Sequence, residues 1–436
     1  MKKQRPELFF TLVIFIIGTV LLLITPAGAN FDEETYIARI WEMGLGHFIP
    51  NSHLGEDGTV PNAFMKISYR RQLNVPIINM DILREQIKVK IDWDDFAKYE
   101  TRAGYFPTLF MIQAVIMRVF GAHFHLPVLI LYYMLRFTYL LLYCLLVYLA
   151  IKILPFGKWV FGTLALAPMC LIQATSISAD PVVFGMAFLF IAWVLKLSSD
   201  PSGGMTKKEL LITCLLTLSL GTLKTNMIFL LVLLLIIPKR KYAGKKNWIP
   251  VLVSALLSLV LAFGWIYITS QIFTTDREST GIYPTVRLIS MFTNPLAFIK
   301  NLSITLSGSL VTYYKQAIGV SGYGYWLMPK LVYWMYPFVV LLALFSEKDK
   351  VNLSRWQRIF FGLAGLFNIA MVFVIFYVVE TPVDYVGIWG VQGRYFDPFI
   401  PLLLIPFMFN LRFKLPSAVT GTLVTAVAVI ATVTLF

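Results

Sequence analysis

Stretches of about 20 apolar residues recur along the whole chain, and they restrict the folds that are open to it. A helix of that length crosses the hydrocarbon core of a bilayer and bonds all of its backbone polar groups internally. We therefore predict about eleven transmembrane helices, some tilted or broken because they are shorter than the bilayer is thick. Their predicted bounds are Leu8–Ile24, Leu126–Leu154, Trp159–Thr175, Pro181–Leu197, Leu210–Leu223, Thr225–Ile237, Trp248–Phe273, Leu331–Phe345, Ile359–Val379, Phe399–Phe409 and Ser417–Phe436.

The composition agrees with this class of protein. Hydrophobic residues make up 58% of the 436 positions and charged residues only 14%, which is unlike a soluble domain. The sequence thus predicts an all-α polytopic membrane protein with a single transmembrane domain, residues 1–436. Its three cysteines, Cys144, Cys170 and Cys214, lie in predicted spans and indicate no disulfide framework.

The positive charges predict the orientation. Lys and Arg cluster in alternate loops, which stay on the cytoplasmic side of a plasma membrane, so the net charge of +14 requires no nucleic-acid partner. The amino terminus is then cytoplasmic and the carboxy terminus is outside. A cleaved signal peptide is the alternative, since Ala27-Gly28-Ala29 resembles a cleavage site, but the apolar stretch of about 17 residues is long for one. The basic groups are Lys2, Lys3 and Arg5; Lys152 and Lys158; Lys207 and Lys208; Lys239 to Lys246; Lys348 to Arg358; and Arg412 with Lys414.

Most hydrophilic residues fall on the outer side in this topology. They are concentrated in a first outer loop, residues 30–104, and in a second outer region, residues 274–328. The longest cytoplasmic loop, residues 196–209, is too short for a nucleotide-binding domain, and the sequence has no phosphate-binding glycine loop. An enzyme with this plan would act outside the cell and would need a donor such as a lipid-linked phosphate ester.

Two acidic residues, Asp32 and Glu33, begin the first outer loop soon after the first span. The residues that follow have helical spacing, which predicts a short helix in the membrane interface, and a second interfacial helix is predicted from Pro107 to Phe120. The carboxylates have two interpretations: they cap the first of these helices, or one of them is a general base at the membrane surface. The sequence leaves both open.

Three more charged residues lie within or beside predicted spans. Asp180 stands before Pro181 and is either a helix cap or a functional carboxylate. Lys224 lies between two short spans, where it either snorkels or binds an anionic headgroup or a substrate phosphate. Arg136 lies inside the second span, where a charge is by default a candidate functional group, although it also suits a broken helix end.

The run from Gly390 to Pro398 gives the sharpest local signal. Its two glycines allow a close turn at the outer end of the tenth span, and Arg394 presents a planar fork that suits a phosphate. An arginine paired with Asp384 or Asp397 is the structural alternative. The predicted ligands of a donor phosphate are Arg394, Lys224 and Arg136.

Five short motifs stand in order along nearly the whole chain and resemble a family of bacterial multi-pass membrane proteins. The motifs are Asp32-Glu33, Tyr105-Phe106-Pro107, Ser178-Ala179-Asp180, Lys224 after a short span, and Gln392-Gly393-Arg394-Tyr395-Phe396. That family is a domain of unknown function grouped with the GT-C glycosyltransferase superfamily. By the resemblance, the acid of the first outer loop is the catalytic base, which matches Asp32 with Glu33 beside it. Substrate contacts are expected from Asp180, Gln392, Tyr395 and Tyr105. The chain departs from the usual pattern because no His follows the acidic pair closely and no Pro directly precedes it.

The resemblance implies inverting transfer of a sugar from a polyprenyl-phosphate carrier to a glycan acceptor of the cell envelope. The implied partners are the donor, the acceptor and the bilayer, with a polyprenyl-phosphate sugar synthase or flippase as a candidate partner protein. This reaction requires Asp32 and Arg394 to lie close together. A Mg²⁺ or Mn²⁺ ion that bridges Asp32 and the phosphate is left open. A transporter or flippase of lipid-linked saccharides is the alternative, and it would favour repeated halves and polar residues at the bilayer midplane.

Overall fold

The structure is a computed structural model that describes residues 5–49, 60–68, 80–97, 104–200, 203–242, 247–272, 281–322, 326–347, 349–410 and 414–434. Parts of both predicted outer regions lie outside these described residues. The same holds for several basic residues that predict the orientation, namely Lys2, Lys3, Lys245, Lys246, Lys348 and Arg412.

The described chain is mostly helical and has little sheet. Its α-helices are α1 (Pro6–Ile24), α2 (Glu33–Gly44), α3 (Asn62–Lys66), α4 (Met80–Gln86), α5 (Met111–Ile116), α6 (Val128–Ile153), α7 (Lys158–Ala165), α8 (Pro168–Ala174), α9 (Asp180–Ser199), α10 (Lys207–Leu220), α11 (Trp248–Ile272), α12 (Pro284–Thr293), α13 (Pro295–Ile318), α14 (Lys330–Phe345), α15 (Arg355–Val379), α16 (Ile400–Leu404) and α17 (Ser417–Val433). A π-helix covers Met117–His123, and 3-10 helices cover Pro107–Leu109, Thr225–Ile236, Lys239–Tyr242, Gly393–Phe399 and Ile405–Phe407. Two short antiparallel pairs join β1 (Val60–Pro61) to β2 (Phe96–Ala97) and β3 (Val320–Ser321) to β4 (Trp326–Leu327).

Five of the described helices are long and apolar enough to cross a membrane: α1, α6, α9, α11 and α15. Shorter apolar helices cover Met111–His123, Thr225–Ile236, Lys330–Phe345 and Ser417–Val433. The prediction of an all-α membrane protein is therefore confirmed. The count of eleven spans stays a prediction, because the remaining apolar segments are shorter than a bilayer is thick.

Two predicted spans are interrupted, and proline accounts for both breaks. The span predicted at Trp159–Thr175 is divided into α7 and α8, because Ala167 precedes Pro168 and adopts an extended conformation with φ −53° and ψ 136°. The span predicted at Phe399–Phe409 begins and ends with 3-10 turns around α16. Pro401 and Pro406 each lack the N–H group that a continuous helix would use there.

The helices pack around α6, which lies against α1 and α9. Several basic side chains form ion pairs at the end of these helices that is remote from Asp180. Lys241 is 2.5 Å from Asp200, Lys196 is 3.8 Å from Glu209 and Lys158 is 3.4 Å from Asp349. Since α9 separates Asp180 from Asp200 over its full length, the basic loops and Asp180 lie at opposite ends of the bundle.

Helix α2 forms where the sequence predicts an interfacial helix, but it is buried inside the protein instead. All residues from Glu33 to Met43 are buried. Its polar side chains tolerate this burial because they are paired, Arg39 with Glu42 at 2.5 Å and Glu33 with Arg136 at 2.6 Å. The segment of the second predicted interfacial helix, Pro107 to Phe120, forms consecutive helical turns, and its place in the membrane interface stays a prediction.

Candidate functional site

Four charged side chains from four separate elements meet at one end of the bundle. Asp32 precedes α2, Asp180 begins α9, Lys224 follows α10 and Arg394 lies in the 3-10 helix Gly393–Phe399. Arg394 Nη2 is 3.5 Å from Asp32 Oδ2, as expected from the sequence, and Arg394 Nε is 3.9 Å from Asp180 Oδ2. Lys224 Nζ directly contacts Asp180 Oδ1. These four residues are called the charged cluster below.

Asp32 occupies the N-cap position of α2 but does not act as a cap. Its backbone is left-handed, with φ 60° and ψ 13°, and its side chain makes no capping hydrogen bond. Asp tolerates this conformation better than most residues because its short polar side chain can bond locally. The carboxylate is 27% exposed, the most accessible of the acidic groups in the charged cluster.

Asp180 is also not a helix cap. The N-cap position of α9 belongs to Ala179, and Asp180 lies in the first turn beside Pro181. Its carboxylate is only 3% exposed and lies between Lys224 and Arg394. The capping interpretation of Asp180 is therefore wrong, and the carboxylate serves as the shared counter-charge of two cations.

Lys224 points into the charged cluster rather than toward the bundle surface. Its Nζ atom lies 5.0 Å from the centre of the Tyr105 ring and 5.5 Å from that of Tyr395, which are cation–π distances. Burial alone would lower the pKa of Lys224, but the Asp180 carboxylate outweighs it, so the pKa is raised above its usual value. The position of the side chain, against Asp180 and between two tyrosine rings, does not fit the snorkelling interpretation.

Arg394 is held at the centre of the charged cluster by stacking and by one amide. Its guanidinium carbon is 4.7 Å from the Phe31 ring centre and 5.5 Å from that of Tyr395. In the orientation that satisfies its neighbours, the Gln173 amide accepts from Arg394 Nη1 at 3.2 Å and donates to Asp180 Oδ2 at 3.1 Å. The sequence reasoning missed Gln173, although an amide within a predicted span is itself a functional signal.

The partners of Arg394 differ from those proposed as the structural alternative. Asp32 and Asp180 lie beside it, whereas Asp397 is buried and neither of its oxygens accepts a hydrogen bond from any described residue. Burial, together with the charge of Asp180, raises the pKa of Asp397 well above its ordinary value. The surroundings of Asp397 therefore favour the neutral form of its carboxyl group.

Glu33 and Arg136 form a separate pair and do not reach the charged cluster. Arg136 Nε and Nη2 donate to the two Glu33 oxygens at 2.8 and 2.6 Å, and both side chains are fully buried. The Glu33 oxygens also accept from Tyr132 Oη at 3.2 Å and from the backbone N–H of Ile177 at 3.0 Å. Both side chains are fully buried and bonded to one another, so Asp32, and not Glu33, is the acidic residue of the adjacent pair Asp32-Glu33 that faces Arg394.

Of the remaining predicted substrate residues, Tyr105 and Tyr395 lie against the cations of the charged cluster. Tyr105 stacks on Tyr36, with ring centres 6.0 Å apart, and Tyr395 stacks on Phe376 at 5.2 Å. Both tyrosines thereby form aromatic walls around the two cations. Gln392 is half-buried at the start of the 3-10 helix, where its carbonyl accepts from the Tyr395 N–H at 3.0 Å.

The charged cluster is balanced in formal charge, but its hydrogen-bonding groups are not all paired. Its two cations face two carboxylates, but the contact between Arg394 and Asp32 is longer than a hydrogen bond, and the buried Arg394 Nε donates to no described residue. Phosphate oxygens are good acceptors for such a guanidinium. An entering phosphate would therefore compete with the Asp32 carboxylate for Arg394.

The described residues do not fit a protein-built metal site. No group of three or more His, Cys, Asp or Glu side chains comes together among them in a way that could hold an ion. The charge closest to Asp32 in the charged cluster is the Arg394 guanidinium, which disfavours a second cation at the same carboxylate.

The fold and the charged cluster together define a helical membrane protein with a buried ionic site at one end of its bundle. The chain belongs to the family described as "Predicted membrane protein (DUF2142)", whose family model matches residues 15–403 and so includes every residue of the charged cluster. No curated protein and no solved structure matched the chain.

Proposed function

We propose that this protein is a GT-C-type glycosyltransferase of the plasma membrane, which moves a sugar from a polyprenyl phosphate to a cell-envelope glycan. The observation that carries the proposal is the pairing of a partly exposed carboxylate, Asp32, with a buried guanidinium, Arg394, at 3.5 Å. Inverting sugar transfer from a phosphate requires a base for the acceptor hydroxyl and a cation for the leaving phosphate. The charged cluster contains one candidate for each role.

The transfer step uses these groups as follows. Asp32 takes the proton from the acceptor hydroxyl, and the acceptor oxygen forms a bond to the anomeric carbon as the bond from that carbon to the phosphate oxygen breaks. The bonding electrons leave with the polyprenyl phosphate, whose added negative charge is stabilised by Arg394 and Lys224. Attack from the face opposite the phosphate inverts the anomeric centre.

An apolar groove that is partly lined by the 3-10 helix Gly393–Phe399 supports a lipid-linked donor. It has a volume of about 810 Å³, and Phe396, two residues after Arg394, forms part of its wall. The centre of the Phe396 ring lies 5.7 Å from that of Tyr313 and 5.6 Å from that of Phe373, and both of these residues also line the groove. A prenyl chain in this groove would bring its phosphate toward the charged cluster. The groove residues include Leu310, Tyr313, Lys315, Trp334, Ile369 and Phe396.

The proposed orientation puts the charged cluster on the extracytoplasmic side. Basic segments at the ends of spans stay preferentially in the cytoplasm, and Lys196 and Lys241, which pair with Glu209 and Asp200, lie at the end of α9 opposite Asp180. A lipid-linked donor is compatible with this side, because it diffuses to the site within the membrane.

The test is a transfer assay with the purified full-length protein in lipid nanodiscs. Radiolabelled polyprenyl-phosphate hexoses are incubated with cell-envelope glycan, and the label in the glycan is counted for wild type, Asp32→Asn and Arg394→Ala. We expect each variant to lose at least about 10²-fold in rate, the lower bound for a positioned base or a charge-stabilising donor.

Two matched controls accompany these variants. Asp95→Asn removes an acid whose side-chain partners, Lys66 and Asn62, both lie in the first outer loop, and Arg118→Ala removes an exposed arginine, so both should retain the wild-type rate. Full activity of Asp32→Asn and Arg394→Ala would disprove the site. If wild-type protein moved labelled lipid between the leaflets of liposomes without any transfer, the proposal would give way to a flippase.

A further inference from the structure

We infer that Glu33 and Arg136 are positioning residues that set the backbone of Asp32, and are neither base nor phosphate ligand. This inference rests on the proposed function of Asp32. It starts from the left-handed backbone of Asp32, with φ 60°, which places the carboxylate toward Arg394. A non-glycine residue keeps such a conformation only where its surroundings enforce it.

Arg136 bonds the turn from both sides of Asp32. Before Asp32, its Nη1 donates to the carbonyl of Thr25 at 2.6 Å and its Nη2 to that of Pro26 at 2.8 Å. After Asp32, the same guanidinium holds the Glu33 carboxylate through two bonds. One rigid planar group therefore fixes the distance between the end of α1 and the beginning of α2.

Glu33 extends this connection to α9. Its Oε1 accepts from the backbone N–H of Ile177, three residues before Asp180. The Asp32 and Asp180 carboxylates both face Arg394. The buried pair of Glu33 and Arg136 thus holds the two carboxylates at a fixed position relative to one another. A residue that acts in this way changes the geometry of the reacting groups without touching the substrate.

The surrounding chain leaves the turn little room for another conformation. A Cβ atom on Gly28, which has φ 73°, would lie 2.0 Å from Ser68 Oγ. A Cβ atom on Gly322 would lie 2.2 Å from the carbonyl oxygen of Ala29. Ser68 and Gly322 thus pack against one side of the turn, and Arg136 bonds the backbone of the turn from within the protein.

The test is Arg136→Lys, which retains the charge opposite Glu33 but loses the planar fork. Tyr132→Phe is a milder second variant, because it removes one hydrogen bond to Glu33 and leaves all charges in place. The matched control is Arg287→Lys, since Arg287 is also buried but bonds Tyr377 and Pro382 away from the charged cluster. Each protein is assayed for transfer rate, for its Kd with undecaprenyl phosphate, and for amide hydrogen exchange at residues 26–33 and 393–399.

We expect Arg136→Lys to lower kcat about 10²-fold, the usual effect of displacing a reacting group by about 1 Å. The Kd for undecaprenyl phosphate should stay within about twofold of wild type, because the phosphate ligands are unchanged. Exchange should increase at residues 26–33 and remain constant at 393–399. Tyr132→Phe should change the same readouts in the same direction by a smaller factor, and Arg287→Lys should change none.

Four results would overturn the inference. A Kd weakened as much as in Arg394→Ala would make Arg136 a phosphate ligand, and an unchanged kcat would remove its role in the reaction. Increased exchange in both segments would show a general effect on the fold. If wild-type protein transfers no sugar at all, the proposed function fails, and exchange alone decides whether Arg136 sets the turn: unchanged exchange at residues 26–33 refutes it.

Discussion

At the scale of single residues, the Asp32 carboxylate competes with any phosphate for Arg394. We therefore predict that Asp32→Asn binds undecaprenyl phosphate more tightly than wild type, although it transfers sugar much more slowly. Asn tolerates the left-handed backbone at this position and removes only the charge. The gain should be up to about fivefold, since partly exposed ion pairs contribute up to ~1 kcal/mol.

Binding of labelled undecaprenyl phosphate to nanodisc-embedded protein measures this effect. Asp95→Asn is the control, because Asp95 pairs with Lys66 outside the charged cluster. Weaker binding by Asp32→Asn would mean that Asp32 attracts the donor, for example through a shared ion, and would contradict the competition.

Asp397 gives a second prediction at this scale, which concerns pH. It lies just before the predicted span Phe399–Phe409, and its folded-state pKa is raised well above the ordinary value of 3.8 by burial and by Asp180. Above pH 3.8 the unfolded carboxyl loses its proton while the folded one keeps it, so the folded state loses stability as pH rises toward the folded-state pKa. We expect Asp397→Asn, which cannot ionise, to have the higher Tm at pH 8 and a similar Tm at pH 4. A Tm difference that is constant with pH would show that folding does not raise the pKa of Asp397.

At the scale of elements, the position of Arg394 depends on how closely its 3-10 helix approaches α13. A Cβ atom on Gly393 would lie 1.9 Å from the carbonyl oxygen of Tyr313, and the Gly393 N–H donates to Gln316 Oε1 at 2.8 Å. Gly393→Ala should therefore displace Arg394 and weaken undecaprenyl phosphate binding at least tenfold, with a lower Tm.

Gly308→Ala in the same helix α13 is the matched control for Gly393→Ala. A Cβ atom there meets nothing within 4 Å, so Ala should raise helix stability by roughly 0.5–1 kcal/mol and leave binding unchanged. Equal effects of the two substitutions on binding would show that the approach of Gly393 to α13 does not position Arg394.

The elements also show how far local sequence can predict this fold. The bounds of α1, α6, α9 and α15 agree with the prediction within a few residues, because a continuous apolar segment is a local signal. The helices α12 and α13 were not predicted within the second outer region, since their polar and apolar residues alternate too irregularly for a span. Burial of α2 could not be predicted either, because it depends on Arg136, more than 90 residues away in the sequence.

At the scale of the whole molecule, the charged cluster joins positions 32, 180, 224 and 394. The residue types and their places near span ends were available from sequence, and so was the expected closeness of Asp32 and Arg394. The sequence did not predict which charges pair with which, because each carboxylate could contact several different cations in folds that fit the same spans. Glu33 illustrates this: its sequence position is adjacent to Asp32, yet its carboxylate points toward Arg136.

The arrangement of cavities gives the last prediction, because the described part of the chain has a further apolar cavity apart from the groove lined by Phe396. This further cavity, about 700 Å³, lies between α1 and α17 near Phe9 and Ala426. If the groove holds the prenyl chain, Ile369→Trp should weaken the binding of undecaprenyl phosphate roughly tenfold, the equivalent of about two buried methylene groups at ~0.8 kcal/mol each. Geranyl phosphate, whose chain is too short to fill the groove, should bind both proteins equally. Ala426→Trp fills the other cavity and should change neither affinity, so a loss of long-chain binding there instead would assign the lipid to the space between α1 and α17.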